Sequence, residues 1–173
     1  RKYEDFAVLF RTNSQSRLFE TKLREYKIPY RVIGGQSFFD RREIKDLIAY
    51  LSIIRNPDDD INLLRIINNP PRGIGVSSIE IATEQSRELG VSLNEVLQSE
   101  DYQKKLPKRS RLSVKKFIDM LEGYRDPMVS SFSGFGTLFS QLVDEIDFVD
   151  YMGRTCKTVT ESKQRKLNVA DFL

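Results

Sequence analysis

The feature that most constrains the fold is a proline- and glycine-rich stretch at residues 68–78, which reads Asn-Asn-Pro-Pro-Arg-Gly-Ile-Gly-Val-Ser-Ser. The two prolines end any preceding helix, because proline lacks the N–H and disfavours helix in the residue before it. Gly73 and Gly75 flank one apolar residue, so the turn can adopt positive φ and approach a partner closely. Ser77, with Glu80 three residues later, predicts the start of a new helix through a capping box.

Such a turn would point several backbone N–H groups outward at a helix N-terminus, where the helix dipole favours negative charge. This arrangement can bind phosphate through main-chain atoms alone. The Gly-x-Gly tripeptide is a weak signal, and an ordinary interhelical turn is its simpler explanation. With helices on both sides, a helix–hairpin–helix becomes an equal alternative.

Residue composition excludes several classes of protein. Charged residues make up 31% of the chain and hydrophobic residues 39%, which is typical of a folded globular protein. No apolar run approaches the roughly 20 residues that a membrane helix needs, and no signal-peptide pattern is present. The single cysteine excludes an internal disulfide and indicates a reducing cytoplasm. Because histidine is absent, we expect no metal site and no histidine-based triad.

The first 35 residues predict a β-α-β unit. The continuous apolar run Phe6–Phe10 is typical of a strand buried on both faces, and Tyr30–Ile33 predicts a second strand. Between them a helix is expected from residue 13 or 14 to about Tyr26, with three side chains facing inward, namely Leu18, Phe19 and Leu23. Two parallel buried strands need further strands beside them, and no strand is predicted after residue 36. We therefore expect a piece of a larger protein that begins inside an α/β domain.

From residue 36 the hydrophobic period becomes helical, and residues 36–173 predict an all-α domain. Helices are expected at about 41–55, from 58, at 78–89, 92–97, around 117–124, at 135–149 and from 160 onward. Asp126-Pro127 is expected to end one of these helices, and Asp101–Arg111 to form a loop. The predicted fold class is therefore mainly α, an all-helical domain preceded by a small β-α-β piece, with the boundary between residues 35 and 36.

Several blocks in the first 75 residues also carry a resemblance to a known family. The matching segments are Ala7–Arg17, Ile28–Tyr30, Gly34–Asp46, Ala49–Leu51, Asn56–Asp60 and Leu64–Gly75. In this order they resemble superfamily 1 ATP-dependent DNA helicases of the Rep, UvrD and PcrA type. The remaining helices match that family only in pattern.

The resemblance implies a location and roles for these residues. Residues 1–35 would belong to subdomain 2A, a RecA-like half of the motor, and residues 36–173 to most of the helical subdomain 2B. In the family, a Gly-Ile-Gly helix–hairpin–helix holds the duplex ahead of the fork, and an Arg-Thr-Asn segment touches the single strand. Carried over by position, the duplex-binding residues are Arg72, Gly73, Ile74, Gly75 and Ser77, and the single-strand residues are Arg11 and Asn13.

Two further positions follow from the same comparison. Gly34 and Gly35 would form the hinge between the subdomains, because φ can change there at little cost. A basic residue that often contacts the single strand two places after this glycine pair is replaced here by Ser37, which weakens any such contact.

Catalysis is not expected within this chain. It contains no Gly-x-x-x-x-Gly-Lys-Ser/Thr motif, so we expect no seat for the phosphates of ATP and no catalytic residue. The resemblance implies that the parent is an ATP-dependent 3′-to-5′ DNA helicase of replication restart or DNA repair, which uses ATP and Mg²⁺. Its implied partners are duplex DNA with a single-strand junction, the rest of the motor, and accessory repair or replication proteins, with no membrane contact.

Residues 104–116 contain seven Lys and Arg and no Asp or Glu. A solvated loop is the simpler explanation of such a charge run. Alternatively, five of these residues could form a second patch that binds the DNA backbone, namely Lys104, Lys105, Lys108, Arg109 and Arg111. Two other functions stay open at this point. The helical domain could serve regulation or protein docking, or the chain could come from a related helicase–nuclease.

Overall fold

A computed structural model describes residues 2–11, 13–33, 37–130 and 134–173, and for Asn13 and Ser14 it describes the backbone only. In these ranges the protein is mainly α, as predicted. Its helices are α1 (Asn13–Glu25), α2 (Arg42–Arg55), α3 (Asp60–Ile66), α4 (Val76–Leu89), α5 (Leu93–Gln98), α6 (Glu100–Lys105), α7 (Lys108–Ser130), α8 (Phe135–Glu145), α9 (Phe148–Arg154) and α10 (Val159–Phe172). None of the described helices has the length and apolar composition needed to cross a membrane.

The chain forms two compact units, Arg1–Lys45 and Asp46–Leu173, and α2 spans the division between them. The domain boundary predicted between residues 35 and 36 stays a prediction.

The two strands predicted in the first unit are not formed. Residues 6–10 and 28–33 have no regular secondary structure, and no β-strand occurs in the described ranges. Apolar side chains of these segments are open to solvent, with Leu9 95% and Ile33 84% exposed. A buried parallel strand needs hydrogen-bonded neighbours and covered faces, and the described residues supply neither.

The helix predicted between these segments is confirmed, but its packing differs from the prediction. Leu18 and Phe19, which were expected to face inward, are 74% and 44% exposed. With Leu9 and Tyr26 they line an open, largely apolar depression of about 750 Å³. The apolar face of α1 is thus uncovered within the described part of this unit.

One buried carboxylate orders the other side of α1. Glu20 is 2% exposed and accepts hydrogen bonds from the Phe38 N–H and the Tyr30 hydroxyl, both at 3.2 Å, and from the Ser37 hydroxyl. Burying a carboxylate is costly unless hydrogen bonds satisfy it. These three donors therefore fix the chain against α1.

The second unit is built around the short helix α5, which packs against α3, α4, α6 and α7. Its apolar residues Leu93, Val96 and Leu97 are fully buried in a core that all these helices share. The Ser92 hydroxyl accepts the Glu95 N–H at the start of α5. The hydroxyl replaces a partner that the first helical turn lacks.

Residues 101–111, predicted as a loop, are mostly helical in α6 and the first turn of α7. The ring of Tyr102 is completely buried and holds α6 against the core. Pro107 precedes the first residue of α7, where its missing N–H would have had no intrahelical partner anyway. Burial and proline position together explain why this polar segment is helical.

Two other helix boundaries differ from the prediction. α7 continues through Pro127, although the sequence predicts an end there, because Met128 is buried in the core and its burial offsets the lost hydrogen bond. The single helix predicted over 135–149 is divided into α8 and α9 at Asp147, whose φ is 53°.

Candidate nucleic-acid interface

The proline- and glycine-rich stretch forms a tight connection between α3 and α4, as predicted. Its two glycines differ in conformation. Gly73 has a φ of 74°, a left-handed value that strains any residue with a Cβ, whereas Gly75 has a φ of −63°. Both glycines are exposed. Positive φ is therefore needed at Gly73 alone.

Gly75 is the N-cap of α4, with no side chain to serve the first helical turn. The capping box predicted from Ser77 and Glu80 is not formed, because Ser77 lies inside the helix rather than at its cap. Within the described residues, no protein acceptor is recorded for the backbone N–H groups of Gly75, Val76 and Ser77. These residues are exposed, and their three N–H donors lie at the positive end of the α4 dipole.

Ile74 is placed differently from the two glycines around it. Its side chain is 2% exposed and belongs to the core. The Asn68 side chain binds its backbone on both sides, accepting the Ile74 N–H at 3.3 Å and donating to the Ile74 carbonyl at 2.5 Å. The assignment of Ile74 to the duplex-binding turn stays a prediction. Ile74 anchors the turn.

The first turn of α4 is anchored as well. Ser78 is 3% exposed, and its carbonyl accepts a hydrogen bond of 2.8 Å from the hydroxyl of the buried Tyr102. Burial raises the pKa of Tyr102 to about 12, so this hydroxyl keeps its proton at neutral pH. The three open N–H groups thus lie on a helix end that the buried Tyr102 fixes to the core.

Arg72, expected to contact phosphate, is engaged inside the protein. One guanidinium nitrogen donates to the Ile66 carbonyl at 2.9 Å and to the Pro70 carbonyl at 2.8 Å, and the other donates to the Tyr50 hydroxyl. The guanidinium carbon lies 4.8 Å from the centre of the Phe117 ring. Arginine suits this place because its planar fork can serve several acceptors and stack on an aromatic face. The side chain holds the turn from within.

Tyr50 completes this cluster. Its ring is fully buried, and its hydroxyl donates to the Asn69 carbonyl at 2.8 Å while accepting from Arg72. Burial raises the pKa of Tyr50 to about 12, although the nearby Arg72 charge acts in the opposite direction. The neutral hydroxyl therefore remains able to donate at physiological pH.

The five basic residues of the predicted second patch do not act alike. Lys104 pairs with Glu100 at 2.9 Å, and Arg111 donates to the Lys104 and Leu106 carbonyls at 3.2 and 3.4 Å. No pairing is recorded in the described part of the chain for the other three, which are exposed: Lys105, Lys108 and Arg109. The structure thus separates two engaged cations from three that are open to a ligand.

The residues assigned to the single strand are only partly described. Arg11 is exposed, and its backbone N–H donates to the Gln15 side chain at 2.9 Å. Asn13 begins α1, but its side chain lies outside the described residues, as do Gly34 and Gly35. Ser37, which stands where the resembled family often has a basic residue, is bound to Glu20. The roles of Arg11, Asn13 and the glycine hinge stay predictions.

Comparison with known proteins agrees with this architecture. The chain belongs to the UvrD-like helicase C-terminal domain family, whose model matches residues 1–173.

Two similar proteins illustrate the relationship. The ATP-dependent DNA helicase PcrA of Staphylococcus aureus is 47% identical over 102 residues, covering 59% of this chain and 14% of the relative. The ATP-dependent DNA helicase PcrA of Staphylococcus epidermidis is 35% identical over 173 residues, covering 100% of this chain and 23% of the relative. The chain thus spans less than a quarter of the length of either relative.

Sequence reasoning missed the residues that hold the turn in place, Tyr50 and Asn68 above all. Asn68 directly precedes Asn69-Pro70, and a side-chain amide next to a turn often bonds nearby backbone. That signal could have been found. Tyr50 lies 22 residues before its partner Arg72, and nothing in the local pattern links the two.

Replacing Arg72 by lysine tests its internal role. Arg72→Lys keeps the charge but loses the planar fork, so we expect a free energy of unfolding lower by about 1–3 kcal/mol. The exposed Arg87 of α4 provides a matched control, because Arg87→Lys should change stability by less than about 0.5 kcal/mol. Denaturant unfolding measures both. Equal stability of the two variants would show that the Arg72 contacts do not hold the turn.

Proposed function

We propose that this chain binds duplex DNA without reading its sequence, through the backbone N–H groups of Gly75, Val76 and Ser77. The observation that carries the proposal is the exposed N-terminus of α4, where these donors have no recorded acceptor in the described residues. Backbone donors match phosphate oxygens and carry no information about bases. An enzyme that works along any DNA needs contacts of this kind.

The surroundings of the turn support the same proposal. Gly75 carries no side chain, so a phosphate can approach the backbone at the start of α4 closely. An ideal Cβ on Gly75 would meet nothing nearer than 3.8 Å, so its lack of a side chain is not required by the fold. The open space around this position also leaves room for a ligand to approach the backbone closely.

We further propose that the whole protein is an ATP-dependent 3′-to-5′ DNA helicase of replication restart or repair. The relatives named ATP-dependent DNA helicase and the family of this chain support that assignment. ATP and Mg²⁺ would then be bound by other parts of the protein. DNA and the remainder of the motor are the proposed partners.

Because ATP would be bound by other parts of the protein, we expect the 173-residue chain to have no ATPase activity of its own. A phosphate-release assay with saturating Mg-ATP and single-stranded DNA should give the rate of the blank, because no phosphate-binding loop is present. The full-length protein, assayed under the same conditions, is the positive control. Turnover above the blank by the isolated chain would contradict the assignment.

Substitution at Gly75 tests the role of the open N–H groups. In Gly75→Thr the new hydroxyl lies at an N-cap, where it can accept the N–H of Ser77 and occupy the place of a phosphate oxygen. The loss of one or two charge-assisted hydrogen bonds predicts an affinity for blunt duplex that is lower by about tenfold or more. Stability should be kept, since threonine caps helices at least as well as glycine.

The matched control is Gly136→Thr. Gly136 also lies in the first turn of a helix, is exposed, and has open space around an added Cβ. This variant should bind duplex like the wild type in fluorescence anisotropy. Full duplex affinity of a folded Gly75→Thr variant would refute binding through these N–H groups and favour a regulatory or docking role for the helical domain.

A further inference from the structure

We propose that the first three turns of α7 extend the duplex site, with Lys108, Arg109 and Lys116 contacting backbone phosphates beside the Gly73 turn. The inference rests on the proposed duplex binding and adds a second set of contacts to it. It differs from the basic patch predicted from the sequence, which stays a prediction. Lys104 and Arg111 have partners within the protein and are left out, and Lys116 is added.

Two contacts place this part of α7 directly against the turn. The Ser113 hydroxyl oxygen lies 3.9 Å from the position that a Cβ on Gly73 would occupy. One helical turn further, the buried Phe117 ring packs against the Arg72 guanidinium. The face of α7 that carries Ser113 therefore adjoins Gly73, two residues before the open N–H groups begin.

That face forms a shallow groove of about 410 Å³ lined by Lys108, Arg109, Leu112, Ser113 and Lys116. The lining contains no carboxylate, and the three cations are exposed. No ion pair or hydrogen bond of their side chains is recorded within the described ranges. They are therefore available to an anionic ligand without first breaking a contact.

The spacing of the charges suits a polyanion. At 1.5 Å per residue, Lys108 and Lys116 are about 12 Å apart along α7, too far to share one phosphate. Residues 46–103 carry ten Asp and Glu against four Lys and Arg, so the basic groove stands out in an acidic unit. Such a contrast steers a polyanion toward the groove and away from the remaining surface.

We assign the DNA backbone as the occupant of the groove, because the groove lies near the backbone N–H donors at the start of α4. A carboxylate-rich protein would also match the cations and the backbone N–H groups at the start of α4, but its carboxylates have no fixed spacing. A duplex presents phosphates at regular spacing and can engage both the cations and the N–H groups at once.

The salt dependence of duplex binding separates the two sets of contacts. Each phosphate neutralised by a lysine contributes about 0.9 to the slope of log affinity against log salt. In the full-length protein, Lys108→Gln/Lys116→Gln should therefore make the slope shallower by about 1.8, measured on a short blunt duplex of mixed sequence. Gly75→Thr blocks neutral donors. It should therefore lower duplex affinity while the slope of log affinity against log salt stays nearly unchanged.

The matched control is Lys157→Gln/Lys163→Gln, which makes the same charge change at exposed positions outside the groove. Its slope should equal that of the wild type. A slope unchanged in Lys108→Gln/Lys116→Gln, or changed equally in both double variants, would overturn the α7 assignment. Duplex binding through the backbone N–H groups is tested independently, because it is refuted if Gly75→Thr keeps full affinity for duplex. Glutamine and lysine have similar helix propensity, so stability should be kept at the three helical positions, and Lys157 is exposed outside a helix.

Discussion

The contacts of one guanidinium group hold the structure around the proposed site. Arg72 joins the end of α3, through the Ile66 carbonyl, to the proline stretch, and it stacks on the ring of Phe117 in α7. Half-buried donors of this kind must be matched by acceptors, because an unsatisfied polar group removed from water is costly. The conformation of the turn, the start of α4 and the position of α7 are thus linked through a single side chain.

This arrangement separates the groups that shape the site from those that are open to a ligand. Arg72, Asn68 and Ile74 make contacts inside the protein and fix the turn, while the backbone N–H groups of Gly75, Val76 and Ser77 have no acceptor within the described residues. Donors fixed in this way need no reorganisation when a phosphate arrives. Neutral donors would set the geometry of binding, and the cations of α7 would supply its long-range attraction and its salt dependence.

The sequence predicts the helical class and the connection between α3 and α4, because these depend on local chemistry. It fails where burial decides the outcome. Tyr102 draws a polar segment into a helix, and the apolar residues 6–10 do not form a strand without neighbours to pair with. The candidate site shows the same limit. Its glycines are evident from the sequence, but the internal role of Arg72 depends on a partner distant in sequence.

The most direct measurement is the response of individual backbone amides to duplex DNA. In an NMR titration with a short blunt duplex, the Gly75, Val76 and Ser77 amide signals should shift and their hydrogen exchange should slow. The Ile74 amide, already bound to Asn68, should exchange at the same rate with and without duplex. Unchanged signals at Gly75, Val76 and Ser77, with shifts confined to other surfaces, would contradict the claim that the backbone of this turn binds DNA.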